Sequence, residues 1–263
     1  MSAVAGKIVG PSELQQFFAE VGSRMARAKA PGQIELARFF SNAGRRLRIA
    51  EEQRQQLDRV EATHFNVFRL IEPDENKLSD ILADLLDPNG SHGQGGLFLA
   101  LLLRQLGLSS AAEGVSTAIV QREAPTHGIA RYRRRMDVLV ECDVTLAIEN
   151  KVDALEQADQ VKDYLEHLAR CTRSNGNPYA LVYLTPDGRW PESLDATAWK
   201  AAYAAGRLHC WSYRRELRAW LEACRHQCAA RRIRDFLSDF IAHIELALER
   251  EPESDRAEEA YED

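Results

Sequence analysis

Two apolar segments rich in strand-forming residues, "RMDVLVE" (135–141) and "TLAIEN" (145–150), stand only three residues apart. If the two pair, so short a link makes them an antiparallel hairpin, because a parallel pair needs a crossover of about a dozen residues or more. The next apolar segment, "YALVYLT" (179–185), follows a helical stretch over 155–170 that can serve as such a crossover. "STAIVQREAP" (116–125) and "LHCWSY" (208–213) read as further strands. The order is helices, three strands, a helix, two strands and helices. That order predicts an α/β fold with a central mixed sheet flanked by helices.

Ahead of this core the texture is purely helical. "PSELQQFFAEVGSRMARA" places apolar residues at 14, 17, 18, 21 and 25, one helix face, and "APGQ" (30–33) breaks it. A second helix runs on to about residue 62, with a bend expected near Gly44. No catalytic grouping appears there. Residues 1–60 are read as a helical appendage or dimerisation element that offers a homodimer contact, and Arg45, Arg46 and Arg48 as a solvated helix face. Residues 61–248 form the main domain. The tail 249–263 holds eight acidic and two basic residues, and this composition predicts disorder. It carries the whole net charge of −6, so the remaining body is balanced and does not repel a polyanion. No apolar run is long enough to span a membrane, and no secretory leader is evident. Five scattered cysteines fit reduced thiols in the cytoplasm.

The end of the "TLAIEN" strand is chemically odd. Glu149, Asn150 and Lys151 follow Leu146, Ala147 and Ile148, and charges at the end of a buried strand are costly unless paired or ligating. Strand residues two apart share a face, so Glu149 and Lys151 point with Ala147, and Asn150 points the other way. A loop Cys142-Asp143-Val144 pairs Glu141 with Thr145 and Asp137 with Glu149, bringing both acids to one face; a two-residue loop would separate them. In "PDENKLSDILADLLDPNG" (73–90), Glu75 lies on the helical stripe of Leu78, Leu82 and Leu86 and so faces inward. Two or three carboxylates against one ammonium leave a negative pocket. Hard oxygen ligands without His or Cys select Mg²⁺ or Mn²⁺ over Zn²⁺. The plain alternative is a Glu149–Lys151 ion pair.

Asp137 followed by Glu149-x-Lys151 on the next strand resembles the bipartite signature of the PD-(D/E)XK nuclease superfamily. Gln157, Gln160 and Tyr164 in "EQADQVKDYL" resemble its Gln-x-x-x-Tyr helix. The segment from Pro73 to Leu103 and "YLTPDG" (183–188) are similar to a prokaryotic branch of the superfamily, with Glu75 in the place of the first-helix acid. One departure is Leu78, where that branch commonly has His. The resemblance covers about 70–190. It implies a restriction-endonuclease-like core and hydrolysis of a phosphodiester, in DNA more than RNA, in prokaryotic defence or DNA processing. It further implies a metal set of Glu75, Asp137, Glu149 and Asn150, the last through backbone carbonyl, and catalytic roles for Lys151, Gln160 and Tyr164 beside the acids. A catalytically silent nuclease-fold binding module is the rival reading.

"RYRRRMD" (131–137) leads straight into Asp137, so Arg131, Arg133, Arg134 and Arg135 are candidate phosphate contacts. "NGSHGQGG" (89–96) lacks a phosphate-loop lysine and reads as a connection, His92 included. Cys224, His226 and Cys228 have no second ligand pair at zinc spacing.

Overall fold

The computed structural model describes residues 11–26, 31–62, 65–126, 134–152, 156–173 and 176–247. The chain divides into two compact units, the first ending at Phe65 and the second beginning at Asn66. The predicted acidic tail, and Arg131 and Arg133 with it, lie outside the described residues.

The first unit is a helical hairpin of α1 (Pro11–Ala26) and α2 (Pro31–Glu61). Pro31 opens α2, where its missing N–H would have had no partner anyway. The helix then runs unbroken through Gly44. Phe18 stacks on Phe40 with ring centroids 5.4 Å apart, while Phe17 and Phe39 are exposed.

The second unit has a restriction-endonuclease-like α/β fold. Its elements are α3 (Val67–Ile71), α4 (Glu75–Leu86), α5 (Leu97–Gln105), a 3₁₀ segment Ser109–Thr117, β1 (Ile119–Pro125), β2 (Arg135–Glu141), β3 (Thr145–Asn150) and α6 (Gln160–Cys171). There follow β4 (Tyr179–Thr185), α7 (Ala196–Ala204), β5 (Leu208–Ser212), a π turn at Tyr213–Leu217, α8 (Arg218–Gln227) and α9 (Arg231–Ala247). The five strands lie in chain order, antiparallel from β1 to β3 and parallel from β3 to β5. The mixed sheet follows from its links: three residues join β2 to β3, whereas α6 and α7 carry the chain back for β4 and β5.

Alternation along the strands splits the core between two faces. Val138, Val140, Leu146, Ile148, Val182 and Leu184 pack on one side against α4, α5, α8 and α9. Leu139, Ala147, Leu181 and Tyr183 face the other side, against Val161, Tyr164 and Leu168 of α6. The α6 helix starts at Gln160, later than the predicted 155. α7 was not predicted; its start is fixed by Asp195, whose carboxylate accepts from Thr197 and Ala198 N–H, each at 2.9 Å. All five cysteines are unbridged. No described helix is long and apolar enough to cross a membrane.

Candidate active site

The β2–β3 hairpin has the register that a three-residue loop demands: Glu141 opposite Thr145, Leu139 opposite Ala147, Val138 opposite Ile148. Its next step sets Asp137 against Glu149. There the regular pairing stops, and the Asn150 N–H donates to Asp137 Oδ2 at 2.7 Å. A side-chain carboxylate thus takes a bond that a strand carbonyl would otherwise accept, and this fixes its direction. The carbonyl of Asp137 accepts from Arg122 of β1. The same guanidinium binds Asp80 of α4 at 2.9 Å and the Asn76 carbonyl at 3.2 Å. Arg122 therefore ties the strand carrying one acid to the start of α4, which carries another.

Glu149 is 1 % exposed. Its Oε1 accepts from Lys151 Nζ at 2.7 Å and from Gln160 Nε2 at 2.6 Å. Its Oε2 is buried and has no hydrogen-bond partner. Burial, and then the negative Asp137, push the Glu149 carboxyl up to about 8, against the pull of the Lys151 ammonium. Burial likewise raises Asp137, although the Asn150 N–H opposes it. Burial works against the charge on Lys151, but Glu149, Glu75 and Asp137 together hold it above the ordinary lysine value. Lys151 is thus a buried ammonium among acids, the predicted excess of negative charge.

Glu75 reaches this cluster from the first turn of α4. The neighbouring Asp74 caps the helix through Lys77 N–H at 2.7 Å, which leaves Glu75 to reach across. Its Oε1 lies 3.4 Å from Lys151 Nζ, and its Oε2 accepts from the Val152 N–H at 2.9 Å. From the α6 side, Gln160 Nε2 also donates to the Tyr164 hydroxyl at 3.1 Å, and its Oε1 accepts from the Gln157 N–H. Tyr164 donates to the Arg135 carbonyl at 2.6 Å. It is both core packing and a strut that orients Gln160. Burial raises its phenol well above the usual tyrosine range, so it stays a neutral donor.

Asn150 projects to the opposite face. Its Nδ2 donates to Ser79 Oγ at 3.1 Å and the Glu75 carbonyl at 3.2 Å, and its Oδ1 accepts from the Tyr213 hydroxyl at 2.7 Å. With its amide so engaged, Asn150 turns only backbone toward the acids; its carbonyl is 3.5 Å from Lys151 Nζ.

The arginines separate. In place of the surface position expected for it, Arg134 is buried: its Nε meets Asp163 Oδ2 at 2.6 Å, and its other nitrogens reach Gln157 Oε1 at 2.9 Å and the Ala158 carbonyl. It clamps the entry of α6 to the start of β2. Arg135 is exposed and pairs with Glu123 at 2.7 Å. Arg122, Ser79, Tyr213 and Asp163 all support the cluster, and of these Arg122, Tyr213 and Asp163 went unnoticed in the sequence.

Among the described residues no three His, Cys, Asp or Glu side chains are grouped to hold a metal by themselves. A hard octahedral ion asks less, because it binds through one or two carboxylates and keeps several waters. The unpartnered Glu149 Oε2 beside Asp137 meets that requirement.

A family model of the PD-(D/E)XK nuclease superfamily matches residues 65–242, a span that contains every residue of this cluster and omits α1 and α2. Comparisons with curated proteins and with solved structures give no match. On that span, and with Asp137, Glu149, Lys151, Gln160 and Glu75 brought into one cluster, the chain belongs to the PD-(D/E)XK nuclease superfamily.

Proposed function

We propose that the protein is a Mg²⁺-dependent nuclease, with Mn²⁺ as a substitute, that hydrolyses phosphodiester bonds in DNA in preference to RNA. One observation carries the reading: a buried carboxylate oxygen, Glu149 Oε2, has no partner beside a second acid whose ionisation is opposed by burial. A buried charge left this way is costly, and a bound cation removes the cost.

Asp137 and Glu149 would hold the ion, with the Asn150 carbonyl and Glu75 (directly or through water) completing the set. A divalent ion held there supplies neutralisation of phosphate charge and acidification of a bound water. Gln160 holds Glu149 by Oε1, so Oε2 is the oxygen offered for coordination. Lys151 remains protonated among the acids and donates to a substrate oxygen or to the attacking water. Glu75 fixes the Lys151 ammonium and the backbone at Val152, and Tyr164 fixes Gln160. Arg131, Arg133 and Arg135 would contact the nucleic-acid backbone. Exposed Phe17 and Phe39 support a homodimer through α1 and α2. The preference for DNA, and a cytoplasmic setting in prokaryotic defence or DNA processing, draw their support from the motif resemblance.

The test is incubation of the purified protein with linear, circular, single- and double-stranded DNA and RNA, in Mg²⁺, Mn²⁺ or chelator. Ion-dependent cleavage that disappears in Lys151→Ala supports the proposal. Cleavage retained by a folded Lys151→Ala variant, or unaffected by chelator, counts against it.

A further inference from the structure

On the sheet side that carries the cluster, three aromatic rings form a partly exposed group. Trp190 and Trp199 lie 3.9 Å apart with planes at 23°, and Tyr203 meets Trp190 edge-on at 5.4 Å. Trp190 is 40 % exposed and Tyr203 55 %. Trp199 covers one face of Trp190, and two fifths of the residue stays exposed beside Tyr203. Large rings left in water forgo apolar burial, and a grouped exposed set marks a contact surface more often than a single exposed side chain does.

The stack is anchored relative to the acids. Trp199 packs into the cluster formed by Leu181, Tyr183 and Leu208, the same sheet face that carries Ala147 and, beyond it, Glu149. Tyr183 lies opposite Glu149 in the β3–β4 register. After β4 the chain turns at Gly188, whose φ of +81° suits glycine alone, and Thr185 Oγ1 accepts from the N–H groups of Gly188 (2.9 Å) and Arg189 (3.1 Å). Glu156, in the segment that follows Lys151, accepts from the Glu192 N–H at 2.6 Å and the Ser193 N–H at 3.3 Å. The connection bearing Trp190 is thus tied at both ends to the strands and the segment that shape the cluster.

Two basic side chains stand at the rings, among the acidic Asp187, Glu192 and Asp195. Lys200 Nζ stands 5.5 Å over the Trp199 ring, and Arg189 is exposed next to Trp190. The neighbouring carboxylates of Asp187 and Asp195 turn to backbone N–H groups of Arg189 (3.1 Å), Thr197 and Ala198 (both 2.9 Å). Glu156 is likewise committed to backbone and to Ser193.

We infer that Trp190, Trp199 and Tyr203 form a nucleobase-stacking platform, and that the substrate presents unpaired bases as a single strand or a frayed end. This rests on the nuclease reading above and narrows its substrate class. Inside a duplex both faces of a base are already stacked, whereas an unpaired base has a face to give. Removing an aromatic platform residue weakens single-strand binding by roughly 5- to 150-fold per base.

The test is fluorescence anisotropy of labelled oligothymidine, and of a duplex of equal length, with the full chain in chelator so that no cleavage occurs. Trp190→Ala is expected to weaken single-strand binding about tenfold or more while leaving duplex affinity within about twofold. Trp190→Phe, which keeps a ring, is expected to recover most of the loss. Tyr203→Ala removes a mostly exposed side chain and is expected to weaken single-strand binding several-fold, so it decides the matter should Trp190→Ala fail to fold. Single-strand affinity unchanged in both alanine variants, an equal loss on duplex, or no single-strand binding by the wild type would overturn the platform. The nuclease reading is judged apart from this, by metal-dependent cleavage and its loss in Lys151→Ala.

Discussion

The backbone N–H of Asn150 donates to the carboxylate of Asp137 at 2.7 Å, one step beyond the last regular pair of the β2–β3 hairpin. The β2–β3 hairpin therefore opens where its acids begin, while β3 stays paired with β4 through Asn150. The Asn150 side chain, on the other face, is held by Ser79, the Glu75 carbonyl and Tyr213. Groups on both sides of one peptide thus set the position of Asp137.

Tyr213→Phe removes the donor to Asn150 Oδ1 in a fully buried setting. An acceptor left without its partner there costs about 1–3 kcal/mol. Urea unfolding should show a loss of that size. Cleavage should fall through kcat with little change in KM, since Tyr213 acts on the acids through Asn150 and touches no substrate.

The two adjacent arginines predict opposite outcomes. Arg134 and Asp163 are both almost fully buried, so Arg134→Ala leaves an uncompensated carboxylate and should destabilise by about 3–5 kcal/mol. Arg135 pairs with Glu123 in water, and Arg135→Ala should change stability by less than about 1 kcal/mol. Thermal melts of the two variants side by side check this.

These two residues also show where sequence reading reaches its limit. The face shared by Asp137, Glu149 and Lys151 follows from strand alternation and a three-residue loop, and the inward turn of Glu75 follows from helical spacing. Both were legible because a local period fixes them. Arg134 and Arg135 are identical neighbours, and that Arg134 is the buried one of the two depends on Asp163, 29 residues away from it. Arg122 and Tyr213 reach the site through contacts that no local pattern announces. α7 escaped notice because it has no buried residue and hence a faint apolar stripe.

Without a divalent ion, the protein should lose stability as pH rises. Glu149 is pushed from 4.5 up to about 8 by burial and Asp137. Between those values the folded chain keeps a proton that the unfolded chain has released, so stability falls across that window and levels off above it. Lys151, raised above 10.5, contributes stability that is lost only at higher pH, outside this range. Melting in chelator at pH 5, 6, 7 and 8 should show the decline. Glu149→Gln should flatten it, be at least as stable as the wild type at pH 8, and be inactive.

Arg122→Ala should release the Asp137 carbonyl and the start of α4 together. Cleavage is expected to drop at least tenfold. Raising the Mn²⁺ concentration should restore part of it, because the acids remain but are less well placed. Activity measured across a Mn²⁺ series checks this, and an equal loss at every concentration would argue against a positioning role.

The central claim is that Asp137 and Glu149 converge on a hard divalent cation. Calorimetric titration of the wild type, Asp137→Ala and Glu149→Gln with Mn²⁺ addresses it without reference to substrate or cleavage. The wild type should bind Mn²⁺ at a site that both variants lose while still folding. No binding by the wild type, or binding unchanged in Asp137→Ala, would contradict the account.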